Sequence, residues 1–289
     1  MFSIENRAIS FIIVAIIYII ATVVGVFVYL ALPFELWLNL LIADVVATVV
    51  TFIFSVLFKN ASVYDPYWSV QPIVILLAFA IGQNLSLIEG IFIAVVCVWG
   101  IRLTANWAYT FNGLTHQDWR YSMLKNKVGA FYPIVNLLGI HLVPTLIVYA
   151  CTLPAVMVIQ SDINTLSIWS IIFLVVSLFA VVVQGVSDIQ MHKFRLNKNG
   201  KVFIRNGLWK YSRHPNYLGE ILMWWGIALA SVFALGGQWY LLGGALLNTL
   251  LFVFISIPLA DGKQSKKEGF DEYKKQTRML LPIKTKTKK

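Results

Sequence analysis

Apolar runs long enough to cross a bilayer recur along the whole chain, and they constrain its fold more than any single motif does. A helix needs about 20 apolar residues to traverse the ~30 Å hydrocarbon core. In lipid, only helices and closed barrels satisfy every backbone N–H and C=O internally. Eight runs stand out, at roughly 8–30, 36–58, 68–82, 87–109, 131–159, 165–187, 216–235 and 238–258. The third is short, and only Gly236 and Gly237 separate the last two. An all-α, polytopic membrane protein with seven or eight transmembrane helices is therefore expected, as a single membrane domain over residues 1–289. Hydrophobic residues make up 59% of the chain and charged ones 12%, which excludes an ordinary soluble domain. The first run is long and lacks a small-residue cleavage site, so no cleavable signal peptide is expected.

Charge is sorted by side. The expected outer loops hold Glu35, Glu89 and Asp162 and no lysine or arginine. Apart from Arg102, every cation falls at the N-terminus, in loops 59–67, 110–130 and 188–215, or after residue 260. The positive-inside rule then places both termini in the cytoplasm. The net charge of +10 gathers on that face, where Lys284, Lys286, Lys288 and Lys289 of the basic tail 283–289 would meet anionic headgroups. Membrane lipids are thus expected partners. Nucleic acid is not, because no basic soluble domain exists to carry it. Cys97 and Cys151 lie in apolar runs and read as reduced core residues, and four scattered histidines lack ligand spacing, so no metal is expected.

Polar residues inside such runs are costly and mark either a cavity or a contact between helices. In the second run Asp44, Thr48 and Thr51 share a stripe, which suits either purpose. Residues 62–72 bring Tyr64, Asp65, Tyr67, Trp68 and Gln71 together at the start of the third run. The rings fit an interfacial aromatic belt; an aspartate between two tyrosines fits it less well. Arg102 is placed either to snorkel to the headgroups or to face the protein interior. Asp118 and Arg120 read as a pair that fixes their loop, and Pro133, Pro144 and Pro154 kink a run that also carries Asn136 and His141. Asp188 and Arg195, seven apart, share a helical face, either as a salt bridge or as ligands.

Residues 205–226 carry the densest pattern. Lys210, Arg213 and His214 precede a helix expected to begin at Pro215, whose missing N–H costs nothing in a first turn. Cations beside a helix N-terminus suit a phosphate. Within the helix Asn216, Glu220 and Trp224 fall on one face. The run Gly-Leu-Trp, Ser-Arg-His-Pro-Asn-Tyr and Gly-Glu resembles the C-terminal signature of the steroid 5-alpha-reductase-like membrane family, and in particular its bacterial branch. Gly-Phe-x-x-Tyr-x-x-x-Thr in the tail and Asp-x-Arg-Tyr at 118–121 extend the likeness over residues 62–282, with 185–282 as the cofactor-binding signature. The Arg-His-Pro-x-Tyr-x-Gly core is shared with isoprenylcysteine methyltransferase-like proteins.

The resemblance implies a reductase that uses NADPH, held on the cytoplasmic side of a bacterial inner (plasma) membrane. By the same resemblance the cofactor-binding residues are Arg102, Asp188, Arg195, Tyr211, Arg213, His214, Asn216, Tyr217 and Glu220. Asp65 falls where the family places a membrane-embedded acid. The family's tyrosine position falls near Trp99, which leaves Tyr64, Tyr67 and Tyr109 as replacement phenols. Asp65, with Tyr64 or Tyr67 as relay, is expected to supply the catalytic proton while hydride adds to a lipophilic enone, steroid-like or isoprenoid, entering from the bilayer. The alternatives are an S-adenosylmethionine-dependent membrane methyltransferase and a non-catalytic transporter or assembly factor. No internal repeat favours a transporter.

Overall fold

The computed structural model describes residues 6–161, 163, 165, 167–198, 200 and 202–282. Asp162 and the tail lysines Lys284, Lys286, Lys288 and Lys289 lie outside the described residues. The chain divides into two compact units, Met1–Leu85 with Val96–Gln160, and Ser86–Val95 with Ser161–Lys289.

The first unit contains α1 (Arg7–Ala31), α2 (Leu36–Leu57), α3 (Tyr67–Ala80), the later turns of α4 (Leu87–Thr110), α5 (Trp119–Val128), α6 (Tyr132–Val135) and α7 (Val143–Ile159). Asn6 starts α1 by accepting from the N–H groups of Ala8 and Ile9. Small residues let the helices close. A Cβ on Gly25 of α1 would lie 3.4 Å from both the Ala43 carbonyl oxygen and the Ala47 methyl of α2. One on Gly100 of α4 would come within 2.6 Å of the Ser69 carbonyl oxygen on α3. Between α6 and α7 the helix widens to π geometry over Asn136–Leu142. Pro144 follows at once and cannot donate to Ile140, which favours such a local widening. His141 turns inward there, with its Nδ1 2.9 Å from the Asn136 carbonyl oxygen.

The second unit holds the first turns of α4, then α8 (Ile168–Leu196), α9 (Pro215–Ala234), α10 (Gly243–Leu251), a π-helical stretch Phe252–Ser256, α11 (Ile257–Gln264) and α12 (Phe270–Gln276). Its centre is the pairing of α8 with α9. Gly219 and Gly226, two turns apart on α9, meet α8 so closely that a Cβ on either would stand 2.7 Å from a backbone oxygen, of Ala180 and Phe173 respectively. With lipid as solvent, close backbone approach of this kind replaces the hydrophobic drive of a soluble core. Pro215 opens α9 as its sequence predicts.

Seven helical stretches among the described residues are long and apolar enough to cross a membrane: Arg7–Ala31, Leu36–Leu57, Leu87–Thr110, Trp119–Ile159, Ile168–Leu196, Pro215–Ala234 and Trp239–Gln264. The chain is an all-α polytopic membrane protein. The third expected run corresponds to α3, whose 14 residues reach only about 21 Å at 1.5 Å per residue. Whether α3 crosses decides whether the termini share a side. The stretch between Lys59 and Arg102 holds no cation, so the charge rule predicts that it is exported. A single cysteine at Gln83 should react with a membrane-impermeant maleimide on intact cells. Labelling only after permeabilisation would make α3 a re-entrant helix.

Candidate functional site

A cavity of about 400 Å³ opens within the first unit, lined by α1, α2 and α3. Gly25, Ala43 and Ala47 leave the room, and Tyr18, Tyr29 and Phe79 supply apolar wall. Asp44 of α2 and Tyr67 and Gln71 of α3 form a polar group in the lining, which also includes Thr22, Gln83 and Gln160. Tyr67 and Gln71 stand one turn apart and face the same carboxyl group. The Tyr67 hydroxyl donates to Asp44 Oδ1 at 3.1 Å, and the Gln71 amide nitrogen donates to Asp44 Oδ2. All three are buried. The Gln71 Oε1 has no hydrogen-bond partner, and a buried acceptor left open on a cavity wall is what a bound molecule's donor would satisfy. Of the two uses the sequence allowed for Asp44, a cavity wall and a helix contact, the fold makes both.

Tyr64 stacks on Tyr67, ring centroids 5.4 Å apart, and lies 4.7 Å from the His141 ring. Its hydroxyl pairs with Thr145 of α7 at 2.9 Å, and Thr145 pairs with Thr48 of α2 at 3.0 Å. Asp65 is held elsewhere. It ends the short 3-10 turn Ala61–Tyr64 and accepts from the Tyr121 hydroxyl at 2.6 Å. Burial pushes its carboxyl up to about 6, against the opposing pull of the Tyr121 bond, Arg120 and Ser62, while Asp118 adds to the rise. The expectation that Tyr64 or Tyr67 relays to Asp65 is thus corrected. Their hydroxyls reach α7 and α2, and the phenol on Asp65 is Tyr121 of α5. The reason is the turn itself, which faces the loop before α5: Asn60 Nδ2 donates to the Leu114 carbonyl oxygen at 2.6 Å and the Asp118 N–H to Ser62 Oγ at 2.9 Å. Asp118 caps α5 and binds Arg120 through both oxygens, as a loop-fixing pair should. Trp99 is buried with its ring 6.2 Å from Trp68, and Tyr109 is exposed.

In the second unit the basic residues before α9 have other partners than a phosphate. Arg213 donates to Asp261 Oδ2 at 2.9 Å and to the Thr277 carbonyl oxygen at 2.6 Å. His214 Nε2 meets Asp261 Oδ1 at 2.9 Å, and its ring stacks on Tyr217. Both are buried. This corrects their reading as phosphate ligands: they clamp the returning tail, which also packs Phe270 and Tyr273 against Phe203. Glu220 accepts from Trp224 Nε1 at 3.0 Å, so the face predicted for Asn216, Glu220 and Trp224 exists. The Asn216 Oδ1 is buried without a partner. Asp188 is half-buried near the end of α8, while Arg195 in its last turn and Tyr211 are exposed. Arg195 sits in a cationic neighbourhood: partial burial and the charges of Lys198, Lys263 and Arg195 push the Lys267 ammonium down. Arg102 belongs to the first unit and is half-buried on α4. No group of three or more metal-ligating side chains occurs among the described residues.

A family model described as a protein of unknown function (DUF1295) matches residues 51–277. That range includes Tyr64, Tyr67, Gln71, Thr145 and the 205–226 run, and begins after Asp44 and Thr48. An uncharacterised protein of Schizosaccharomyces pombe is 25% identical over 230 residues, covering 70% of this chain and 64% of that protein. The chain thus spans somewhat less than two thirds of that relative's length. No solved structure matches.

Two measurements test these assignments. Asp65 binds its proton more tightly folded, near about 6, than unfolded, near about 4. Its contribution therefore favours the fold below about 4 and fades as pH rises to about 6. Relative to Asp65→Asn, the parent should lose thermal stability over that window; a parent that gains would reverse the assignment. Asp261→Ala strands a buried guanidinium and should destabilise by about 3–5 kcal/mol. Adding Arg213→Ala to that background should cost far less than Arg213→Ala alone. An Arg213→Ala single variant of parental stability would free this residue from the clamp.

Proposed function

The chain belongs to the DUF1295 family, and we propose that it is a membrane-embedded NADPH-dependent reductase of lipophilic enones. The supporting observation is the cavity, whose apolar walls close on Tyr67, Asp44 and Gln71. Its ~400 Å³ suits a small lipid or a polycyclic molecule. Hydride addition at the β carbon of an enone builds negative charge on the carbonyl oxygen, and a fixed donor there lowers the barrier. Tyr67 is that donor in this reading, once its O–H, which it gives to Asp44 in the structure, turns to the substrate's carbonyl oxygen. Asp44 holds the phenol in place, and Gln71 holds Asp44. This moves the catalytic role from Asp65 to the Tyr67–Asp44 pair, and leaves Asp65 with Tyr121 at the approach to the site.

NADPH supplies the hydride. The reductant's identity rests on the likeness of residues 185–282, and the residues present fit it in part. The open Asn216 Oδ1 is an acceptor for a carboxamide N–H, with Glu220 on the same face. Exposed Arg195, with Lys198, Lys263 and Lys267 around it, suits phosphate oxygens. Arg213 and His214 do not fit, being held by Asp261.

Purified protein should be stabilised against heat by NADPH more than by S-adenosylmethionine, and should oxidise NADPH when given a panel of lipophilic enones. Tyr67→Phe should lower kcat by roughly 10²–10³ and leave KM near parental, as for a lost oxyanion donor. Arg195→Ala should weaken NADPH binding by about 1.5–3 kcal/mol. Preferential stabilisation by S-adenosylmethionine would replace this reading with a methyltransferase.

A further inference from the structure

The cavity of the first unit is long, and its two ends differ. Tyr18, Thr22, Gly25 and Tyr29 line it along one face of α1, each about a turn after the last. Tyr67, Gln71, Val74 and Ala78 do the same along α3. Between Tyr67 and Ile81 that helix rises about 21 Å at ~1.5 Å per residue. The space of about 400 Å³ is therefore drawn out along the two helices.

At the Tyr67 end it is shut. Tyr18 meets Tyr67 edge to face with ring centroids 5.6 Å apart, Tyr64 stacks on Tyr67, and Ala21 and Ala47 pack with them. At the other end Leu30 is 72% and Ile81 80% exposed, and the lining residues Gln83 and Gln160 are exposed too. A molecule enters from the Ile81 end and stops against Tyr18 and Tyr67.

The shut end is polar, and each of its donor groups is engaged. The Tyr18 hydroxyl donates to the Val63 carbonyl oxygen at 2.7 Å. The Tyr67 hydroxyl and the Gln71 amide nitrogen donate to the two oxygens of Asp44. Because both Asp44 oxygens accept, the Gln71 amide keeps its nitrogen on the acid and its Oε1 off it. That Oε1 has no partner, on a side chain whose residue is only 5% exposed. A buried acceptor left open is unfavourable until a donor reaches it. A hydroxyl brings such a donor; a ketone or an ether oxygen does not.

We propose that the cavity binds an elongated lipid alcohol, hydroxyl first, with Gln71 Oε1 accepting from the hydroxyl and the hydrocarbon lying along α1 and α3 toward Ile81. Binding of this kind does not depend on the reductase reading. Under that reading the substrate is an enone that also carries a hydroxyl, its carbonyl for Tyr67 and its hydroxyl for Gln71.

Dodecanol and methyl dodecyl ether share a chain and an oxygen and differ in the O–H. Purified parent, without NADPH, should bind dodecanol roughly tenfold or more tightly than the ether, as for a hydrogen bond to an otherwise open buried acceptor. Gln71→Met keeps the length of the side chain and removes Oε1, and the preference should disappear. Equal affinities in the parent, as when water alone satisfies Oε1, would overturn the proposal. So would a preference that survives in Gln71→Met. The direction of insertion is read without a variant. Dodecanol with a diazirine at its terminal carbon should crosslink around Leu30 and Ile81, and with a diazirine beside the hydroxyl carbon, at Tyr18 or Tyr67. The reverse pattern would overturn the hydroxyl-first placement. If Gln71→Met fails to fold, the parent's preference and the two crosslinks decide. Enone reduction is read separately, so a protein that reduces none can still pass this test, and one that fails it can still be a reductase.

Discussion

A carboxyl group buried between membrane helices sets the terms for the first unit. Taking Asp44 out of water costs several kcal/mol unless donors replace the lost hydration. Two donors do, one from Tyr67 and one from Gln71, and both come from a single face of α3. That requirement accounts for the composition of α3's first turns, which are polar and aromatic where a plain spanning helix would be aliphatic. It also accounts for the small residues opposite: Gly25, Ala43 and Ala47 let α1 and α2 approach while leaving a void above the carboxyl group. A satisfied acid therefore stands on the wall of an apolar space.

The second unit solves the same problem with the opposite charge. Arg213 is a buried cation with the His214 ring beside it, and Asp261 is the acid on α11 that meets both. The clamp fixes the chain just before α9 to the segment ending at Thr277. What remains exposed of that charge is Arg195, Lys210 and their neighbours, available to an anion or to lipid headgroups.

The sequence made the helices legible because a spanning run is a one-dimensional signal, and it made the α9 face legible because Asn216, Glu220 and Trp224 are local in the helix. It misplaced partners wherever the partner lies far along the chain. Arg213 beside a helix start reads as a phosphate site until Asp261, 48 residues on, occupies it. Tyr121 was visible in its Asp-x-Arg-Tyr run, yet nothing local links it to Asp65, 56 residues away. The π-helical widening at Asn136–Leu142 had a signal in the prolines that flank it. The turn of His141 toward Tyr64 did not.

Asp65 and Asp44, both in the first unit, are held in different ways. Asp65 lies in a turn that shares Tyr121 with the partly exposed Asp118–Arg120 pair, and burial pushes its carboxyl up to about 6. Asp44 lies on the cavity with its oxygens already engaged. Between them stand Tyr64, adjacent to Asp65 in the chain, and Tyr67, adjacent to Asp44 in space, stacked ring on ring. Beside that stack the hydroxyls of Thr48 and Thr145, 3.0 Å apart, tie α2 to α7, and Tyr64 joins them through Thr145 at 2.9 Å.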